Sequence, residues 1–462
     1  MLSYRKLAMR VLGRPFHTGG SDSPRPASQR AAAFILTAAM LTTLAAPAFA
    51  DTWCIENGNI TVKAGDTKGT NKVSQGSIID KVDTNTVITG KSDKNTVTIE
   101  AKDKDDKVEV KLDNVNIDTS KQNKAAVSVT GSGNTTIELD GSNTLKSGSG
   151  HAGLEHNKTD TSGELTIQDN DKNGSLKAAG GQFGAGIGGA GAANDAQVKI
   201  TGGKITATGG EYGAGIGGGF KGSGDVTISG GEIHANGGNY GAGIGGGDYS
   251  SGKVTISGGE INATGGYLGA GIGGGEKGSG DVTITGGEIT SATGGKYGAG
   301  IGGGKGVYLA SDKKIHGGDG KVTITGGKIT ATSKSFGAGI GGGSNGSGDV
   351  TIEGNTEVNA AGGTGGAGIG SGAGDAKANI TLEGKVTIVA KAGDGNVAIG
   401  DINGEQELNG LAPGSNVTRS DSEGNDISLP GDKVPTPSGG DTAGGGSTDG
   451  DSAGGTFMRR SS

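Results

Sequence analysis

The sequence predicts an all-β fold, a parallel β-helix of about ten coils with a period of about 28 residues, followed by a disordered C-terminal tail. Three observations predict it. The pentapeptide GAGIG occurs seven times, starting at Gly184, Gly213, Gly241, Gly269, Gly298, Gly337 and Gly366. Apolar positions recur in register with it, for example Ile200, Ile228, Ile256, Ile284, Ile324 and Ile352. Finally, glycine supplies 103 of 462 residues, while aromatic residues make up only 3%. Such an excess over ordinary usage points to a glycine-punctuated repeat.

The repeat unit is clearest from Val226 to Gly247, VTISGGEIHANGGNYGAGIGGG. It holds three short segments bounded by glycine, and each alternates apolar with polar or glycine positions. Period-two alternation over four to six residues marks a half-buried strand. The Gly-Gly pairs supply the positive φ angles that tight corners need. Three strands and three corners make one coil, and neighbouring coils stack their Val and Ile positions into aliphatic ladders. The unit has no helical periodicity, which excludes leucine-rich and ankyrin-type solenoids. A calcium-binding β-roll needs a shorter period and an aspartate in every turn, whereas Lys253 and Lys321 replace it here.

Residues 1–50 read as an export signal, a basic region followed by AAAFILTAAMLTTLAAPAFA with a small-x-small cleavage site at Ala48-Phe49-Ala50. Residues 51–90 are expected to form an N-terminal cap over the solenoid's open edge. Residues 91–402 are expected to form the β-helix domain itself. From Asn403 the period stops, and residues 403–462 read as a flexible linker rich in Gly, Ser, Pro and Asp. Without residues 1–50 the chain carries 35 basic and 47 acidic side chains, a net charge of −12. That balance disfavours nucleic acid as a partner. No segment after the signal has the length of a membrane span. Cys54 is the only cysteine, so no internal disulfide forms.

The segments VKLDNVNIDTS, AAVSVTGSGNTTIELDGSNTLKSG, GELTIQD and QFGAGIGG resemble a family of secreted carbohydrate-binding domains from gut and cellulolytic Firmicutes. Its founding type is a clostridial polygalacturonate-binding β-helix protein. The resemblance covers residues 90–400 and is most specific over 108–190; after Ile187, glycine-dense repeats replace the more varied coils. It implies a right-handed parallel β-helix, a calcium-dependent preference for acidic polysaccharide, and a bacterial cell-surface setting.

Several columns of residues are candidates for binding. The residue before each GAGIG forms an aromatic column that includes Tyr212, Tyr240 and Tyr297. Its rings have the chemistry to stack on sugars, although parity points them inward as a structural stack closing the corner. Glu232, Glu260 and Glu288 fall at one outward position on successive coils, about 5 Å apart, where they repel one another. A bound cation would relieve that repulsion, and calcium prefers oxygen ligands. Alternation of the column with Lys is the simpler account. Asp225, Asp281 and Asp349 at the corners form a second metal candidate. The one break in the repeat, KGVYLASDKKIHGGDG, brings Tyr308, Lys313, Lys314 and His316 onto a loop. In GAGIG, parity turns Ala and Ile inward and leaves glycine outward, a bare backbone face open to a sugar chain or to self-association.

No catalytic set stands out, so the expected function is non-catalytic binding of a pectin-like or host glycan at a bacterial surface. The alternatives are a structural or adhesive rod without sugar specificity and, less favoured, a polysaccharide lyase.

Overall fold

A computed structural model describes residues 51–159, 162–192 and 195–435. The expected signal segment, 1–50, and the tail from 436 onward lie outside the described residues. The described chain is an all-β parallel solenoid of about eleven turns, closed at each end by a cap.

Each regular coil is three-sided. The first side is the V-T-I strand, for instance Gly224–Ile228, which pairs in parallel with Gly252–Ile256 on the next coil. The second is Glu232–Asn236, paired with Glu260–Thr264. The third is the short Ile244–Gly245, paired with Ile272–Gly273. Identical positions therefore stack on one another, as the spacing predicts. The inward residues Val226, Ile228, Ile233, Ala235, Ala242 and Ile244 are all at most 1% exposed, and they continue as ladders through the neighbouring coils. The ladders are aliphatic through the regular coils, and polar residues enter them outside those coils, at Thr135 and Asn143 in the early coils and at Arg419 near the C-terminal end.

Glycine sets two of the corners. Between the first and second sides the second glycine of each pair has positive φ, +95° at Gly231 and +92° at Gly259. In the less regular early coils the same bend falls at Asn114 (φ +54°) within the single strand Lys107–Asp118. The last glycine of GAGIG has φ near +130°, as at Gly217 and Gly245. A Cβ on Gly217 would lie 2.0 Å from the carbonyl oxygen of Gly245. These glycines are buried. The bare outward face expected of GAGIG is therefore not present. The third side is packed so tightly between coils that any side chain would strike neighbouring backbone, and it offers no glycine surface for self-association.

The insertion leaves the solenoid register untouched, since Gly280–Ile284 pairs directly with Gly320–Ile324. The extra residues form an antiparallel hairpin, Val307–Leu309 with Lys314–His316.

Both ends differ from the coils. Ile60–Ala64, Asn71–Gln75 and Ile78–Asp83 form an antiparallel meander on the first third-side strand, Val97–Glu100. Thr86–Ser92, expected to be cap, already pairs with Lys107–Asp118 as part of a coil. At the other end, the stretch from Asn403 expected as linker is folded as far as 435. Asn416–Ser420 adds a further parallel strand to Val386–Lys391. Arg419, fully buried, is clamped by Asp432 through two 2.9 Å bonds and by Glu405 at 2.6 Å. A cap needs few residues and no period, which is why it reads as linker in the sequence.

Candidate functional site

The corner between the third and first sides carries a groove along the stacked coils. Its floor is Gly224, Gly252, Gly280, Gly320 and Gly348, kept as glycine by the third-side carbonyls behind them. At Gly252 a Cβ would come within 2.0 Å of the Gly273 oxygen. Ser223, Ser251, Ser279, Asp319 and Ser347 form one rim. The other rim is a column in strict register: Gln197, Asp225, Lys253, Asp281, Lys321, Asp349 and Asn379. From Asp225 to Asp349 a buried glycine precedes this position and an inward valine follows it, so alternation forces its side chains out. The two adjoining clefts each enclose about 400 Å³ and share Asp319 and Lys321.

Asp225, Asp281 and Asp349, expected as a metal candidate, sit on this rim but are not gathered around one point. Lys253 and Lys321 lie between them. Asp225 is paired with Lys158 at 3.3 Å, and Asp349 accepts a 3.0 Å hydrogen bond from the Asn379 amide. The column is an alternating row of charges, so a lysine separates each carboxylate from the next and no two of them form a shared cation site.

The aromatic column is brought together, but in a form that removes it from sugar stacking. Phe183, Tyr212 and Tyr240 stack ring on ring, with centroids 5.2 and 4.9 Å apart and planes within 13° of parallel. Tyr297 and Phe336 stack at 5.1 Å, and buried Leu268 interrupts the series. Tyr212, between Phe183 and Tyr240, has both faces covered by neighbouring rings. The rings are half-buried at the corner, outside the aliphatic core, so the expected inward parity is corrected to a column packed against the outside of the core.

Glu232, Glu260 and Glu288 do align on adjacent second-side strands. Lysines close the row at both ends: Lys204 lies 2.7 Å from Glu232 and Lys328 lies 3.5 Å from Glu288. The Lys204 ammonium holds the Glu232 carboxyl below the usual range. On the hairpin, Tyr308 is 58% exposed and pairs across the strands with exposed Ile315. His316 is engaged by Asp312 at 2.5 Å, while Lys313 occupies the hairpin turn at φ +58° and Lys314 is exposed. These four residues thus share one protrusion, and none of them lines the groove, although His316 precedes the rim residue Asp319 by three positions.

Two features were missed by sequence reasoning. Asp248 and Glu276 occupy the position after the GGG of successive coils, Asp248 only 2% exposed. Other coils place Phe220, Lys305, Ser344 and Ala373 there, so no periodic signal marks them. Glu138, Asp169 and Asp171 also cluster, but Gln168 and Asn170 already supply three hydrogen bonds to Glu138. The groove itself did have a signal, since Asp and Lys alternate at one repeat position. Its meaning depends on the strands being neighbours.

A family model described as beta helix repeat matches residues 198–220, 226–248, 254–276, 282–305 and 322–344. These five segments are five of the coils described above, and with the parallel solenoid they support a β-helix repeat protein. No curated protein and no solved structure matches the chain.

Proposed function

We propose that this β-helix repeat protein binds an extended polysaccharide, without catalysis, along the groove between its third and first sides, at a bacterial surface. What carries the reading is the groove's pitch. Its polar groups recur once per coil, about 4.8 Å, the spacing of hydrogen-bonded strands. An extended peptide advances about 3.3 Å per residue and falls out of phase with that lattice within a few coils. A pyranose in an extended 1,4-linked chain advances by close to one coil. Serine hydroxyls, carboxylates and ammonium groups are the donors and acceptors that sugar hydroxyls require. The predicted export signal supports the extracellular setting. Catalysis is left out because the groove's charges are spread evenly along its length instead of converging on one point.

A glycan array probed with the chain, with and without calcium, tests the proposal. Calcium is included because the Glu232, Glu260 and Glu288 row offers the oxygen ligands it prefers. Binding to at least one linear polysaccharide is expected, weakened about tenfold or more in the Lys253→Ala, Lys321→Ala double variant. Incubation with polygalacturonate should produce no rise in unsaturated-product absorbance. Absence of binding in both calcium conditions sinks the reading. It would leave the structural rod, which the self-saturated aromatic stack favours.

A further inference from the structure

We infer that the groove selects a linear polysaccharide in which a uronic acid alternates with a neutral or N-acylated amino sugar, in preference to a homopolymer of uronic acid. The inference rests on the polysaccharide reading above and adds the charge pattern of the ligand. The centre of the rim is the triplet Lys253, Asp281, Lys321, on three consecutive coils. All three side chains are exposed and line the cleft. Among the described residues none of the three has an ion-pair partner within 4.0 Å. That separates them from Asp225, already held by Lys158, and from Asp349, already bonded to Asn379. The free charges along this rim are therefore positive, negative, positive, and the facing rim adds one carboxylate beside Lys321, that of Asp319, whose Oδ1 accepts the Ser347 N–H at 2.8 Å.

Like charges in this triplet are two coils apart, about 10 Å at strand spacing. In a chain lying along the groove with one sugar per coil, every second sugar meets a lysine. A carboxylate there gains a charge-assisted contact with the ammonium. The intervening sugar meets Asp281, an acceptor that suits hydroxyl or amide N–H donors. A homopolyuronate carries a carboxylate on every sugar, so one of them is pressed against Asp281 whatever the register. Like-charge juxtaposition of this kind rejects partners more effectively than matched pairs attract them. The second rim reinforces the choice. Opposite Lys253 and Asp281 it presents the uncharged Ser251 and Ser279, which bond hydroxyls of either sugar, so discrimination there falls to the charged row, while Asp319 faces Lys321.

The test uses isothermal titration of the full chain with size-matched oligosaccharides of hyaluronan, in which glucuronate alternates with N-acetylglucosamine, and of polygalacturonate. Hyaluronan fragments are expected to bind at least about tenfold more tightly. Asp281→Lys should raise affinity for the polygalacturonate fragments about tenfold and remove most of the preference, while Lys253→Gln with Lys321→Gln should weaken hyaluronan binding. All three positions are exposed strand residues, and matching circular dichroism confirms the variants are folded. Equal or tighter binding of polygalacturonate to the unmodified chain, or no response to Asp281→Lys, overturns the inference and leaves the polysaccharide reading standing. Binding to neither acidic polymer but to a neutral glycan also overturns it. Binding to no glycan at all overturns both.

Discussion

The fold raises the pH at which the Asp248 carboxyl ionises. Its backbone N–H donates to the Tyr212 carbonyl at 2.8 Å, which fixes the residue against the aromatic column. Its Oδ1 is buried with no hydrogen-bond partner, and Glu276 occupies the same position one coil on. Burial first, and then the field of Glu276, pushes the Asp248 carboxyl up to about 7, against the opposing pull of Lys277 and the Tyr249 amide. Lys305 lies 3.5 Å from the Glu276 carboxylate. The sign for stability follows. Between about pH 4 and pH 7 the unfolded chain releases this proton and the folded chain keeps it, so stability falls across that window and is level above it. The loss is on the order of 4 kcal/mol. Asp248→Asn should remove it, raising the melting temperature at pH 8 above that of the parent and leaving the two nearly equal at pH 4. Parallel pH profiles for parent and variant would contradict this. The sequence did not reveal the pair, because the position after GGG is chemically irregular and only stacking makes its occupants neighbours.

At the scale of the element, the aromatic column separates register from role. Its register was legible from one residue per repeat, and so was the sense that it closes a corner. Its faces were not legible, because the tilt of a ring depends on the ring above. Stacked pairs contribute about 0.5–1.5 kcal/mol each beyond the area they bury. Tyr212 makes two, with Phe183 and Tyr240, plus an edge contact with Phe220 at 5.5 Å. Tyr212→Ala is expected to cost about 2–3 kcal/mol in chemical denaturation and to leave glycan affinity within twofold. A tenfold affinity loss in a folded variant would return the column to the binding site. GAGIG gives a similar lesson in reverse. Its alternation correctly places Ile216 and Ala214 inward, but the outward positions at Gly213 and Gly215 are occluded by neighbouring backbone. Parity describes one strand, and occlusion is a property of the stack.

For the whole solenoid, stability accumulates coil by coil through nearest-neighbour contacts, so its ends need seals. The N-terminal meander seals one, with its outer strand Ile78–Asp83 blunted by the left-handed Asp80 at φ +48°. Asp83, fully buried, accepts the Trp53 indole N–H at 2.8 Å and fastens the meander to the first coil. The Arg419 clamp seals the other end. Removing one partner of a buried ion pair strands the remaining charge, at about 3–5 kcal/mol. Asp432→Ala should therefore deprotect Val386–Lys391 and Asn416–Ser420 in hydrogen exchange and spare the coils before Ile301. Uniform deprotection along the chain, or none, would show that the clamp is not a local seal.

The sequence by itself determined the coil, its three strands, its glycine corners and its aliphatic ladders. Those features depend on alternation and backbone torsion, which are local and repeat with the chain. Tertiary structure alone decided which surfaces stay open, which rings cover one another, and which charges stand side by side. Asp225, Lys253 and Asp281 are 28 residues apart in sequence, and only the stacking of coils turns them into one alternating rim of a groove.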